Sequence, residues 1–474
     1  MEVTAIRRGN LLILDKPLEL PLTYVHRKLG GYKRTFTRVK LYSIENGKTY
    51  VPFGLKQRCF RYLQTMGYDI HYRVESEPQL GRIDYGAITG HTLREDQLMA
   101  IAHMIHSEGG IIEAPTGWGK SYVLAYFVSL YPDATIAVVA PSLDILHTLQ
   151  REFEKRGLKV GMVHKCSRQI QRITLCSAAS LHKLNPYKLN MCIFDEVHRA
   201  GGPHTSSLLA HIPNAKMLGL SASPIGRSDG TDMRVEALFG PVIYRVSYQE
   251  AVVGGSVSPI VVAMIRVPYH PAMGSLEGLS TVNLNRYGIW TNPIRNEIIA
   301  ATVRKIPKNL QVLIYTDVLE HVLALKKLLP ECAIYYATDA SDERRKYMDL
   351  ELEQLGCKLD DNERMRIMRE FEQGKLKRVI TTRAWSTGVN FRQLDVLVRC
   401  DGLASRIANI QVGGRVSRTN ETKPYGLIID FYDEYFTSLT RRSTIRMSDY
   451  GRLGWRVNLV DSLPLSMLPQ KNDP

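Results

Sequence analysis

The run Ala114-Pro115-Thr116-Gly117-Trp118-Gly119-Lys120-Ser121 is a glycine-rich loop ending in Lys-Ser, set between the apolar Ile111-Ile112 and a helical pattern from Tyr122 to Leu130. These residue types at this spacing can cradle a polyphosphate. Gly117 and Gly119 let the backbone turn tightly and bring its N–H groups onto phosphate oxygens, Lys120 adds a point charge, and the Ser121 hydroxyl suits Mg²⁺. Further on, Asp195 and Glu196 follow the apolar Met191-Cys192-Ile193-Phe194 and so stand at the end of a buried strand. There one carboxylate can hold a divalent cation and its neighbour can activate a water. The two segments together point to phosphoryl transfer to water.

Such groups need a scaffold that brings distant segments to one edge. From Thr92 onward strands and helices alternate. Ile111–Ala114, Thr135–Ala140, Arg172–Cys176, Met191–Phe194 and Lys216–Leu220 read as short buried strands, with helices such as Leu143–Arg156 between them. Continuous apolar strands separated by helices imply a parallel sheet covered on both faces, with ligands at the carboxyl ends of the strands. A second set, Gln311–Tyr315, Ala333–Tyr336, Arg378–Thr382, Leu394–Val398 and Gly426–Asp430, predicts a second α/β domain without a Gly-Lys-Ser loop. The expected division is residues 1–90 as a small basic N-terminal α+β domain, 91–250 as the first sheet domain, 251–305 as a Gly/Pro-interrupted linker, 306–440 as the second sheet domain and 441–474 as a C-terminal extension. Within 1–90, Leu11–Leu14 and Tyr50–Phe53 read as β-runs, Glu45-Asn46-Gly47-Lys48 as a turn and Leu55–Met66 as a helix. Arg27, Lys28, Lys33, Arg34, Arg38 and Lys40 alternate there with Tyr32, Phe36 and Tyr42, a pattern suited to tracking phosphates. The charged stretch Ser341–Glu372 reads as two exposed helices.

A chain of 474 residues with 44% hydrophobic and 23% charged content folds into several cored domains rather than staying disordered. Its net charge of +15 favours a polyanionic partner. No apolar run is long enough to span a bilayer, and Met1–Arg8 lacks the order of a signal peptide, so the expected setting is the cytoplasm (of a bacterial host, if the source is viral), with no membrane partner. Seven scattered cysteines, with no CxxC pair, read as reduced thiols rather than a zinc site.

Two sheet domains of which one carries the phosphate loop resemble a superfamily 2 helicase, and that family's motifs appear in order. Leu93-Arg94-Glu95-Asp96-Gln97 resembles the Q motif, Val139-Ala140-Pro141-Ser142-Leu143 motif Ia and Cys176–Leu181 motif Ib. Asp195-Glu196-Val197-His198 is the DExH form of motif II, and Leu220-Ser221-Ala222-Ser223-Pro224 is motif III with serines where threonine is commoner. Leu313–Thr316 resembles motif IV, Thr381–Asn390 motif V and Gln411-Val412-Gly413-Gly414-Arg415-Val416-Ser417-Arg418 motif VI. Arg227-Ser228-Asp229-Gly230, Asn292–Asn296 and the basic N-terminal domain are most similar to the bacteriophage UvsW-like branched-DNA helicases, and more distantly to XPB and restriction-enzyme motor subunits.

The resemblance implies two RecA-like domains that bind ATP and Mg²⁺. It gives the nucleotide to Arg94, Gln97, Ala114, Pro115, Thr116, Gly117, Trp118, Gly119, Lys120, Ser121, Asp195 and Gly388. Ser121 and Asp195 hold the metal. Glu196 activates the water, with Lys120, Arg415, Arg418 and Gln411 completing the catalytic set, the two arginines as fingers. Of the motif residues, Trp118 and Trp385 are expected to pack. Pro141, Ser142, Ser177, Thr316 and Thr382 fall to DNA phosphates. The implied activity is 3′-to-5′ unwinding or branch migration of forked or branched DNA in recombination, replication or repair, by a monomer. A duplex translocase that separates no strands, an RNA helicase and a binding protein with a relic ATP site are the competing readings; no nuclease motif is evident.

Overall fold

A computed structural model of the chain describes residues 1–30, 33–88, 92–223, 230–336, 343–385, 391, 393–404, 413–417 and 424–470. The chain forms two compact units that meet in sequence at Ser247/Tyr248, with Thr116–Trp118 grouping with the second.

The first unit opens with β1 (Glu2–Arg8), β2 (Leu11–Leu14), β3 (Thr23–Gly30), β4 (Lys33–Lys40), β5 (Ser43–Glu45), β6 (Lys48–Pro52) and β7 (Asp69–Ser76). Five of these make a sheet in the order β5-β6-β2-β1-β7, while β3 and β4 stand apart as a two-stranded ribbon. Alternation explains the sheet's single covered face. Val3, Ala5 and Arg7 of β1 are buried while Glu2 and Arg8 are exposed, and the helix Lys56–Thr65 contributes Cys59 and Leu63 to the same core. The β5–β6 turn has Asn46 at φ 50° and Gly47 at φ 75°, the left-handed pair a two-residue hairpin requires.

The unit continues through β8 (Gly110–Glu113), β9 (Ile136–Ala140), β10 (Val160–His164), β11 (Ser167–Gln169), β12 (Ile173–Ser177), β13 (Met191–Asp195), β14 (Lys216–Ser221) and β15 (Val242–Arg245), in the sheet order β11-β10-β12-β9-β13-β14-β8-β15. Every residue of β9, β13 and β14 is buried, as a parallel sheet sandwiched between helices demands. The N-terminal sheet is packed onto this one rather than tethered to it. Asn10 N–H donates to Pro213 O (2.8 Å), Asn10 Nδ2 to Ile212 O (2.9 Å), and Arg58 pairs with Glu236 (2.6 Å). Gly9 and Gly54 are needed there, because a Cβ would stand 2.1 Å from Pro213 O and 2.2 Å from Glu236 O respectively.

The second unit holds β16 (Ile260–Val267), β17 (Val312–Tyr315), β18 (Ala333–Tyr335), β19 (Arg378–Thr381), β20 (Val396–Arg399), β21 (Gly426–Asp433) and β22 (Arg456–Val460), in the order β18-β19-β17-β20-β21-β16-β22 with every pairing parallel. Two boundaries therefore move. The segment expected as a linker, 251–305, contains β16, which pairs with β21 along its whole length, and the expected extension 441–474 contains β22 on the far side of β16. Burying six of the eight residues of Ile-Val-Val-Ala-Met-Ile-Arg-Val between two strands outweighs the breaking tendency of the flanking Pro259 and Pro268. The charged insertion does form two helices, Glu343–Gln354 and Asp361–Glu372, but Leu352, Ile367 and Phe371 are buried, so one side of each joins the core. Trp385 is fully buried and stacks on Tyr335 (4.4 Å) and Phe371 (5.3 Å). Among the described residues no helix is long and apolar enough to cross a membrane, and no cluster of three or more His, Cys, Asp or Glu could hold a metal. All seven cysteines are free thiols.

Candidate active site

The register of the first large sheet sets the site. Ser221 pairs with Glu113 and Asp195 with Leu220, so the carboxyl ends of β8, β14 and β13 lie side by side. The phosphate loop leaves β8, the Ser221 segment leaves β14 and Asp195-Glu196 leaves β13.

Gly117 (φ 91°) and Gly119 (φ 103°) take left-handed conformations, and Gly119 caps the helix Lys120–Ser129. This aims the helix's first N–H groups at the loop's interior, where anions bind. Lys120 Nζ donates to Ala114 O (3.0 Å) and Pro115 O (3.3 Å), holding the ammonium over the cradle. Gln97 is buried beside the loop, since a Cβ on Gly119 would stand 2.8 Å from Gln97 Nε2. Its amide oxygen accepts from Arg94 N–H (3.2 Å), while the Arg94 guanidinium pairs with Asp96 (3.1 Å).

Asp195 is buried at the end of β13. Burial, then the adjacent Glu196 carboxylate, push its pKa up to about 7, against the opposing pull of Lys120. Glu196 sits at φ 57°, a left-handed conformation that costs a non-glycine residue about 1–3 kcal/mol and is tolerated where function needs it. Its N–H donates to Asp195 Oδ1 (3.0 Å); its Oε2 is buried, accepts no hydrogen bond and lies 3.5 Å from His198 Nδ1. His198 Nδ1 also meets Ser221 Oγ at 3.0 Å, and Ser221 Oγ accepts from Ser223 N–H (3.1 Å). The Glu196 carboxylate is thus linked through His198 to the serines of the neighbouring strand end. A buried carboxylate beside a second one, an unused carboxylate oxygen and a glycine cradle under a lysine together fit Mg²⁺ with a nucleoside triphosphate.

The strand ends assigned to phosphates of a nucleic acid pair off as well. Ser177 closes β12 opposite Ala140 of β9, which puts Pro141 and Ser142 next to it; Ser142 Oγ is buried without a hydrogen-bond partner. In the second unit Tyr315 pairs with Thr381, so Thr316 and Thr382 are neighbours. Thr316 is fully buried and its hydroxyl donates to Thr381 O (3.1 Å), so it shapes that strand end instead of meeting a ligand. Arg415 is buried on the short helix Gly414–Ser417. Gln411, Arg418 and Gly388 lie outside the described residues, as does Pro224–Asp229.

Two family profiles match the chain: "Type III restriction enzyme, res subunit" over residues 90–226 and "Helicase conserved C-terminal domain" over 320–420. The chain belongs to the superfamily 2 helicases. It is similar to the "DNA 3'-5' translocase XPB2" of Sulfurisphaera tokodaii, with 32% identity over 163 residues, 33% of this chain and 36% of that protein. Among solved structures, the "ATP-dependent Type ISP restriction-modification enzyme LlaBIII bound to DNA" aligns over 86% of this helicase and 34% of its own chain at TM-score 0.52 and 14% identity, a likeness of fold. "The crystal structure of T4 UvsW" aligns over 97% of this chain and 99% of its own at TM-score 0.42 and 16% identity. The helicase spans between about a third and three fifths of the length of the curated relatives it matches.

One neighbour of this helicase's loop escaped the motif reading. Tyr122, directly after Ser121, donates its hydroxyl to Thr92 O (3.4 Å), and its ring carries the Arg156 guanidinium at 4.0 Å. It flanks Gly119 together with Gln97, a Cβ there standing 3.8 Å from Tyr122 Cβ and 2.8 Å from Gln97 Nε2. The signal was present, an aromatic following Lys-Ser, but Arg156 comes from a distant helix end that only folding brings near.

Proposed function

We propose that this chain is an ATP-dependent, 3′-to-5′ DNA helicase that unwinds or branch-migrates forked DNA in recombination, replication or repair. The observation that carries the ATP-hydrolysing part is the meeting of Lys120, Ser221 and Asp195-Glu196 on three adjacent strand ends. Lys120 and the loop N–H groups grip the phosphates, Ser121 and Asp195 hold the cation, and Glu196 orients and deprotonates the attacking water. When bound, Mg²⁺ supplies neutralising charge at the phosphate oxygens. His198 and Ser221 relay the state of that carboxylate to the neighbouring strand end. Arg94 and Gln97 fall to the base, and Arg415 and Arg418 to the transferred phosphoryl group.

A net charge of +15 supports a nucleic-acid partner, and hydroxyls and backbone at Pro141, Ser142, Ser177 and Thr382 support contact with phosphates rather than bases. The test is ATPase stimulation and strand displacement across single strands, duplex, forks, four-way junctions and RNA at fixed salt. Forked and four-way DNA are expected to stimulate most. Equal turnover on every substrate would remove the branched-DNA part, and a preference for RNA would replace DNA as substrate. The printed name of the XPB2 relative, a DNA translocase, favours one further reading, movement along duplex without unwinding. Displacement of a triplex strand without any fork unwinding would select it.

A further inference from the structure

We infer that the basic β3–β4 ribbon is a lever through which bound nucleic acid sets the rate at the ATP site, acting through Tyr24 and Arg234 on the turn that carries Glu196. The inference rests on the nucleic-acid-binding reading above and names the route by which that binding reaches the chemistry.

The ribbon has the makings of a phosphate-contacting arm. Between Thr23 and Lys40 the chain carries Arg27, Lys28, Lys33, Arg34, Arg38 and Lys40 and neither Asp nor Glu. Arg38 is exposed and the Phe36 ring is 62% exposed. A lone two-stranded ribbon has little stability of its own, so its direction is set by what its base touches. One side of the base is anchored in the N-terminal core, where Leu41 N–H donates to Leu22 O (2.9 Å) and Leu22 and Tyr42 are buried.

The other side rests on the segment leading into the helix Asp232–Phe239. A Cβ on Gly230 would lie 2.5 Å from Val25 O, and Gly230 is at φ 77°, so two backbones touch where only glycine fits. Beside it the Tyr24 ring, 8% exposed, carries the Arg234 guanidinium 5.4 Å from its centroid. Arg234 Nη1 in turn donates to Gly201 O and Ser206 Oγ, both at 3.4 Å. Gly201 ends the 3-10 turn Val197–Gly201, whose first flanking residue is the strained Glu196 and which contains His198. That turn has no slack, because a Cβ on Gly201 would stand 2.9 Å from Thr231 Oγ1. Movement of the ribbon base is therefore passed by close contact to the Gly201 end of the turn that Glu196 opens. Close-packed contacts shift between arrangements rather than stretch. Tyr24 and Arg234 are positioning residues, since neither touches the reacting atoms.

The test uses the full chain, steady-state ATP hydrolysis with and without forked DNA, and DNA affinity from fluorescence anisotropy. In Arg234→Met the guanidinium is lost while a long apolar stem is kept. The expected result is a loss of about fivefold or more in DNA stimulation, with basal rate and DNA Kd within about twofold of wild type. Tyr24→Leu should behave the same way, while Tyr24→Phe, which keeps the ring face, should retain stimulation. Arg38→Gln should do the opposite, weakening DNA binding while leaving saturated stimulation intact. Full stimulation in both Arg234→Met and Tyr24→Leu overturns the lever and leaves the DNA-binding reading standing; if Arg234→Met fails to fold, Tyr24→Leu decides. A wild type that no nucleic acid stimulates overturns both.

Discussion

Glu196 bears the strain at the site, held at φ 57° with one carboxylate oxygen unused, and it is the group whose removal should separate binding from chemistry. Glu196→Gln is expected to keep ATP affinity and to lower kcat by about 10²–10⁴-fold, the worth of a positioned general base, measured by phosphate release and nucleotide titration. Asp195 sets stability against function. Its folded pKa of about 7 lies above the unfolded carboxylate value, so folding takes up a proton. The stability it contributes is complete below the unfolded value and is lost as pH rises through about 7. In Mg²⁺-free buffer at pH 8, Asp195→Asn should therefore raise Tm, on the order of 2–4 °C for each kcal/mol relieved, while abolishing hydrolysis. A lower Tm in that variant would mean that the carboxylate is already compensated in the folded protein.

The helix Thr437–Arg452 shows what an element contributes beyond its own propensity. It delivers Arg446, fully buried, to Asp430 of β21 (2.9 Å) and Tyr450 to the same carboxylate (2.8 Å). Close by, Arg399 pairs with Asp401 (2.7 Å) and Arg295 with Asp433 (2.8 Å), every one of these groups buried. Removing one partner leaves a charge uncompensated in the interior, so Arg446→Ala should cost about 3–5 kcal/mol in urea unfolding. The stretch from residue 441 onward reads in sequence as a C-terminal extension; three-dimensional pairing seals Arg446 and Tyr450 into the core of the second unit and sets β22 at the edge of its sheet. The helix Leu319–Leu328 holds a second buried group, His321, whose Nε2 lies 3.1 Å from Asn296 Oδ1. Asn296 spends its amide N–H on Trp290 O, so its oxygen accepts and His321 is the neutral Nε2–H tautomer. Burial, then the Arg295 charge, hold its pKa well below 6.5. Its contribution to stability is complete above that value and is lost as pH falls beneath it. Between pH 6.5 and 5.5 the wild type should lose up to about 1.4 kcal/mol that His321→Gln does not, read from denaturant midpoints.

At the scale of the whole molecule the excess of positive charge, +15, exceeds what any one motif supplies. Binding governed by phosphate neutralisation has a steep and sequence-independent salt dependence. With about six phosphates engaged, affinity for any fork should fall about 10³-fold between 50 and 200 mM salt, and by the same factor for unrelated sequences. A flat salt response, or affinities that track sequence at constant salt, would move the recognition from the backbone to the bases.

Read as a string, the chain displays the residues of its candidate site plainly. Gly117, Gly119, Lys120, Asp195 and Glu196 stand out through residue type and spacing, and the apolar runs of β9, β13, β14, β17 and β19 announce parallel strands, because a strand buried on both faces is built mostly of apolar side chains. It disclosed neighbours poorly. That β14 lies between β8 and β13, that β16 and β22 complete the second sheet, that Thr316 spends its hydroxyl on Thr381, and that Tyr24 sits under Arg234 are all consequences of pairing between segments far apart in sequence. The physical reason is that catalytic groups and strand periodicity are local properties of side chains. Which strand hydrogen-bonds to which, and which charge is sealed from water, is settled only when the whole sheet closes over its core.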